Sequence, residues 1–238
     1  MLRRGLFALL ALLLLSRAAS AVEIPSIGCA ADGQQGAQSA PVGATKVVEI
    51  EPKRAALLAY YDSPFTGTVL APRGWKCFAY YGAAGSHLIV ARDDVPGPLT
   101  QKVTGPAVSL ATFDGEIGGG YAVAEYLTLV FPDQAEPFVS DFWKSREIKP
   151  IRLGPFPNDK RHQIGASRIE SETPGFREGL GTSGVLKKSG LPILGMIDYH
   201  ASDSQMRLLT AKLPSDLQGL KAEILQDFAA RIDKRYAK

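Results

Sequence analysis

Residues 75–91, WKCFAYYGAAGSHLIVA, decide the fold. Two apolar runs, 75–81 and 87–91, flank Gly82-Ala83-Ala84-Gly85, the pattern of a β-hairpin closed by a glycine-bounded loop. Neither run alternates cleanly. Phe78 and Tyr80 oppose Trp75, Cys77 and Tyr81, so both faces of the strands are expected to be covered. The hairpin is therefore expected to be central in its sheet.

Working outward, residues 46–50 form a strand candidate, and Pro52 followed by KRAALLAYY predicts a helix with proline in its first turn. Gly118-Gly119-Gly120 breaks the chain before an apolar segment, 121–131, expected to be helical and to end at Pro132. Residues 137–146 suit a short amphipathic helix, with Phe138, Asp141 and Phe142 at helical spacings. Residues 153–158 hold two prolines and read as irregular, and 164–172 as one polar strand. Runs 191–200 and 205–213 predict a second hairpin turning through residues 201–204. At the end, Ser215 and Gln218 have the spacing of an S-x-x-Q capping box. Leu217, Leu220, Ile224, Phe228 and Ile232 follow at intervals of three and four, which predicts an amphipathic helix. No internal repeat and no βαβ alternation is present. The expected fold class is α+β, a mainly antiparallel sheet with the C-terminal helix packed on it.

The N-terminus carries an address. Arg3 and Arg4 precede an apolar run at 6–15, and Ala19-Ser20-Ala21 supplies an A-x-A signal, so residues 1–21 read as a secretory signal peptide. The ten-residue run is too short for a membrane span, and membrane attachment is not expected after cleavage. Residues 30–45 lack large apolar side chains apart from Val42. The expected organisation is a signal at 1–21, a flexible segment at 22–45 and a single α+β domain at 46–238, in a periplasmic or secreted protein. There is no N-x-[ST] sequon, and the scarcity of Asn beside abundant Ala, Gly and Pro suits a bacterial source.

The whole chain has a formal charge of +3, contributed by Arg3, Arg4 and Arg17, so the processed chain is neutral. Residues 22–143 carry 7 basic and 13 acidic side chains, and residues 144–238 carry 17 and 11. Such halves can complement each other within one globule or offer a basic face to an anionic surface. An exported, neutral chain lacks the concentrated positive field of a nucleic-acid binder, so nucleic acid is not an expected partner. Only two cysteines occur, Cys29 and Cys77, and export places them where disulfides persist, so a Cys29–Cys77 bridge is expected. The rival for Cys29 is lipidation, since Ser26-Ile27-Gly28-Cys29 ends like a lipobox; Ser at −3 and the distance from the apolar run count against it.

Candidate chemistry is sparse. Gly179-Leu180-Gly181-Thr182-Ser183-Gly184 matches G-x-G-x-x-G, but no apolar strand precedes it, so it reads as a loop. Lys188-Ser189-Gly190 resembles the K-[ST]-G element of penicillin-recognising enzymes without the S-x-x-K nucleophile. Ser86 and His87 are adjacent on a strand and face opposite ways; His87 is expected to be a structural histidine with a local hydrogen bond, and His162 to be exposed. Asp198 and His200 share a strand face, which lets a carboxylate orient an imidazole, with Asp203 near. They are the candidate catalytic residues of a metal-assisted or unassisted secreted hydrolase, the alternative function. Asp93, Asp94, Asp114 and Glu116 read as solvated turn charges. Tyr60, Tyr61, Trp75, Phe78, Tyr80, Tyr81 and Trp143 are candidates for a sugar or peptide groove, though most are expected in the core. No metal ligand set and no cofactor motif is present.

Leu70-Ala71-Pro72-Arg73-Gly74-Trp75-Lys76-Cys77, with Gly154-Pro155-Phe156-Pro157 and the run 178–190, resembles a set of exported bacterial proteins that have no assigned activity. The resemblance spans most of the processed chain and implies the compartment only. The leading expectation is thus a noncatalytic binding or envelope-interaction module whose partner is a protein, a glycan or a small molecule.

Overall fold

The structure, a computed structural model, describes residues 21–93, 95, 102–116, 118–146 and 153–237. The signal at 1–21 lies almost wholly outside the described residues, as do Asp94 and the side chain of Trp143. In chain order the elements are β1 (Ala21–Gly28), β2 (Ala31–Gly33), β3 (Thr45–Glu49), α1 (Pro52–Ala55), β4 (Leu58–Ser63), β5 (Gly67–Pro72), β6 (Lys76–Gly82), β7 (Gly85–Ala91) and β8 (Ala107–Asp114). There follow α2 (Gly120–Val130), α3 (Pro132–Arg146), β9 (Lys160–Ile164), β10 (Arg168–Thr173), α4 (Leu180–Ser183), β11 (Ile193–His200), β12 (Gln205–Lys212), a 3-10 turn (Ser215–Leu220) and α5 (Lys221–Tyr236).

The strands form two sheets, ordered β3-β1-β4-β5 and β2-β6-β7-β8-β12-β11-β10-β9. Pairing is antiparallel except for β1 with β4 and β2 with β6, so the fold is α+β. Both faces of the large sheet are covered, as the unbroken apolar runs require. On one face Leu88, Val90, Val108, Leu110, Met196 and Leu209 pack against the small sheet and against Ile224, Phe228 and Ile232 of α5. On the other, Ala111, Ile197, Met206 and Leu208 meet Val123, Tyr126, Leu127 and Val130 of α2. The three α5 side chains recur every four residues, and burying each contributes about 1.5–3 kcal/mol, which seats the helix.

The hairpin of β6 and β7 forms as expected, but it is not central: β8 and β12 hold the middle of the sheet, and β6 is flanked on its outer side only by the three residues of the edge strand β2. The second hairpin, β11 with β12, pairs from Leu194 opposite Ala211 to His200 opposite Gln205.

Four local expectations are corrected. Residues 22–45 are not a loose leader: β1 pairs with both β3 and β4, Ile24 is fully buried, and the packed body already includes β1 rather than starting near Lys46. The period-two apolar pair Val22 and Ile24 carries that strand, while Val42 further on is 98% exposed. The helix expected from Pro52 stops after one turn, because Tyr60 and Tyr61 enter β4, where the Tyr61 hydroxyl donates to the Pro72 carbonyl (2.8 Å) and accepts from the Trp75 amide (3.0 Å). Tertiary pairing there overrides the helical propensity of the Ala and Leu residues. The strand expected at 164–172 is a hairpin, β9 with β10, turning at Gly165 with φ 68°. The S-x-x-Q spacing does not cap an α-helix: Ser215 opens the 3-10 turn, and the Gln218 amide donates to the Leu213 carbonyl.

Candidate functional site

The sequence candidates are separated by their partners. Asp198 and His200 both lie on β11, but the Asp198 carboxylate accepts from Arg168 Nε at 2.8 Å, and Arg168 Nη2 reaches Asp233 at 2.7 Å. The His200 ring instead stacks on Tyr236 (centroids 3.3 Å), with Nδ1 2.9 Å from the Ser202 hydroxyl and 3.4 Å from Asp203. Asp198 therefore serves as an anchor for α5. Among the described residues, no group of three or more His, Cys, Asp or Glu side chains converges as a cation site.

The G-x-G-x-x-G string forms α4, and Asp159 occupies its start: one carboxylate oxygen accepts from the Leu180 amide (2.8 Å) and the other from the Thr173 hydroxyl (2.8 Å). Gly179 serves this close approach, since a Cβ there would lie 2.1 Å from Asp159 Oδ1. The position a phosphate would take is filled by the protein's own carboxylate. Lys188 pairs with Glu178 at 2.8 Å, His162 is exposed on β9, and Tyr60, Tyr61 and Trp75 are core.

His87 departs from expectation. Its Nδ1 is buried without a hydrogen-bond partner, and its ring meets Phe113 edge-on at 5.5 Å. Burial pushes its pKa down to about 4. The folded state thus disfavours the proton that the unfolded chain accepts near 6.5, so the stability is present above pH 6.5 and is lost as pH falls towards 4. The expected loss over that window is about 3 kcal/mol, measured as urea unfolding at pH 7 and pH 4 in the parent and in His87→Leu. The variant should lack this component; equal pH dependence in the two proteins would contradict the assignment.

The principal cleft opens between the two sheets. A cavity of about 380 Å³ is walled by the β4–β5 turn (Pro64, Phe65 and Thr66), by Leu110, Thr112, Gln205 and Arg207 of β8 and β12, and by Phe228, Arg231, Ile232 and Arg235 of α5. Its size falls within the range of about 300–1,000 Å³ typical of small-molecule sites. Three guanidinium groups border it, and the elements explain why. Arg207 shares a β12 face with Leu209, and Arg231 and Arg235 stand one turn apart beside the buried stripe of α5. Arg231 pairs with Asp227 at 2.8 Å and lies over the Tyr60 ring at 4.8 Å, while Arg235 Nη2 is 3.5 Å from Gln205 Oε1.

Arg207 Nε is buried without a partner, and Thr66 Oγ1 in the same wall is likewise unpaired. Burial, then the Arg235 charge, lowers the Arg207 pKa, with Tyr236, Asp203 and Asp198 opposing. Those two carboxylates already hold other donors: Asp198 has Arg168, and Asp203 accepts from the Tyr236 hydroxyl at 3.1 Å. An anion in the cavity would satisfy Arg207 and relieve its repulsion with Arg235.

A second cavity of about 360 Å³ adjoins the first, sharing Phe65, Thr112 and Gln205 and adding Gln34, Gln35, Tyr81, Ser86 and Asp114. Phe65, 41% exposed, stacks on Tyr81 with ring centroids 3.8 Å apart. Of the aromatic candidates among the described side chains, Tyr81 alone lines this cleft. Sequence reasoning missed Phe65, Arg207, Arg231 and Arg235. The available signals were an aromatic in the turn Ser63-Pro64-Phe65-Thr66-Gly67, and an arginine within the otherwise apolar run of β12.

Also missed was Lys212, fully buried, whose Nζ donates to the carbonyls of Val103 (3.2 Å), Thr104 (2.8 Å) and Lys187 (2.8 Å). It ties two loops to the sheet and borders neither cavity of the cleft. No protein-family model, curated protein or solved structure matches the chain.

Proposed function

We propose that this chain is an exported, noncatalytic binding module whose ligand carries an anionic group held by Arg207, Arg231 and Arg235. The observation that carries the proposal is the buried, unpartnered Nε of Arg207 in a cavity with two further arginines. A buried N–H donor without an acceptor costs stability, and a ligand anion that accepts from it removes that cost. Phe65, Leu110, Phe228 and Ile232 give the cavity apolar walls, which strengthen a charge-assisted hydrogen bond by excluding water. The Cys29–Cys77 disulfide suits an oxidising compartment, periplasmic or extracellular, and no helix among the described residues is long and apolar enough to cross a membrane.

Calorimetric titration with inorganic phosphate tests the proposal. Saturable binding that weakens with added salt is expected, and Arg207→Met should weaken it by about 10- to 100-fold, the worth of a hydrogen bond to a charged group. The same variant should unfold no earlier than the parent when ligand-free, because it removes a buried donor that has no partner. Absence of phosphate binding, or an Arg207→Met variant that binds normally, would overturn the proposal. So would clear destabilisation of the ligand-free variant with unchanged binding, the mark of a purely structural arginine.

A further inference from the structure

We infer that the two adjoining cavities form one elongated site for an acidic saccharide, with its acidic group among the arginines and a neighbouring sugar ring against Phe65. This rests on the anion-binding proposal for the first cavity and extends it to a ligand class. The two cavities differ in chemistry in a way that specifies the two ends of the ligand. The first is cationic. The second holds no arginine or lysine among its lining residues and includes Asp114, so a second anionic group would be repelled there and a neutral, polar group is favoured.

The polar side chains of the second cavity fit hydroxyl groups. Gln34, Gln35 and Gln205 each carry two amide donors and a carbonyl acceptor, and a carboxamide can bridge vicinal hydroxyls, each of which both gives and accepts a hydrogen bond. Gln34 Oε1 is held by the Ala83 amide at 3.0 Å, which leaves its amide protons available to a ligand and fixes the orientation of the side chain. The apolar C–H face of a pyranose needs a broad, rigid surface, and Phe65 with Tyr81 supplies one. Phe65 lines both cavities, with Thr112 and Gln205, and is the aromatic at which the two chemistries meet. Its position is built rather than incidental: the Ser86 hydroxyl donates to the Phe65 carbonyl at 3.2 Å, pinning the β4–β5 turn across the mouth of the cleft to β7 of the large sheet. A ligand with an acidic group and no sugar ring would use only the first cavity, and a neutral sugar would leave Arg207 unpaired.

The probes are cellobiouronate, which carries one carboxylate on its acidic sugar and a neutral glucose beside it, inorganic phosphate, and the neutral disaccharide cellobiose, titrated calorimetrically into the full oxidised protein. Cellobiouronate is expected to bind about tenfold or more tightly than phosphate, and cellobiose not measurably. Gln35→Ala, at an exposed position that lines the second cavity and not the first, should weaken cellobiouronate by about three- to tenfold and leave phosphate unchanged. Phe65→Ala, in the wall shared by both cavities, should weaken cellobiouronate more than phosphate. If phosphate binds and cellobiouronate binds no better, or if both variants leave cellobiouronate affinity intact, the saccharide inference is overturned while the anion site stands. If cellobiose binds and phosphate does not, the anion-binding proposal itself is wrong.

Discussion

Replacing Arg168 by alanine is expected to lower the free energy of unfolding by about 3–5 kcal/mol at pH 7, the range for breaking a buried ion pair from one side. The reason is the partner left behind. Asp198 has 5% of its side chain exposed, and its carboxylate faces the Arg168 Nε at 2.8 Å. Burial raises the Asp198 pKa, against which the Arg168 hydrogen bond and charge act to lower it. Without the guanidinium, the carboxyl pKa rises further, so the carboxyl is ionised at a growing cost as pH climbs. The deficit relative to the parent should therefore be largest near neutral pH and shrink as pH falls towards 4, where the folded variant keeps a neutral acid. The double variant Arg168→Met with Asp198→Leu should recover much of the loss, since apolar side chains of similar size replace a buried pair without a stranded charge. Urea unfolding of the three proteins at two pH values measures all three statements. A single-variant loss below about 1 kcal/mol at pH 7 would place Asp198 in water instead. The same arginine reaches Asp233 on α5, so its removal also loosens the wall that carries Arg231 and Arg235.

Removing the Cys29–Cys77 bridge is expected to cost about 4 kcal/mol, from the chain entropy released by opening a loop with a sequence separation of 48. For a chain of this size that corresponds to a melting temperature lower by roughly 10 °C. The double variant Cys29→Ala with Cys77→Ala is the cleaner test, because Cys29 is 1% exposed and a serine would bury a hydroxyl. The bridge fastens the chain just after β1 to β6, linking the small sheet to the large one on either side of the cleft. Amide exchange should therefore rise most in β1 and β2, where the bridge adds to pairing such as Cys29 N–H to the Asp62 carbonyl at 2.8 Å. A variant as stable as the parent would show that the N-terminal strands hold without the covalent link. The bridge also excludes lipidation of Cys29 in this state, because its sulfur is already bonded.

Elements whose signal is local were legible. The β6–β7 and β11–β12 hairpins followed from apolar runs around short polar or glycine-bounded turns, and α5 from an apolar stripe of period three to four. Elements whose pairing partner is distant were not. Residues 58–63 look helical in isolation and become β4 because β1 and β5 offer hydrogen bonds on either side. β1 reads as part of a flexible segment until its two partners are known.

The candidate site divides in the same way. Placing Asp198 and His200 on one strand face was correct, yet spacing along β11 says nothing about Arg168 on β10 or Tyr236 on α5, which claim one residue each. The arginines of the cleft had no motif to announce them, since a cleft assembled from separate elements needs no fixed spacing in sequence.

By itself, then, the sequence determined the α+β class, the hairpins, the C-terminal helix and the availability of one cystine, because period, turn chemistry and residue count act over a few neighbours. The tertiary structure alone decided the cleft. Phe65 on a turn of one sheet, Arg207 on a strand of the other, and Arg231 and Arg235 on the last helix meet only after the sheets pack, and the desolvation that leaves Arg207 Nε without a partner exists only once they have done so.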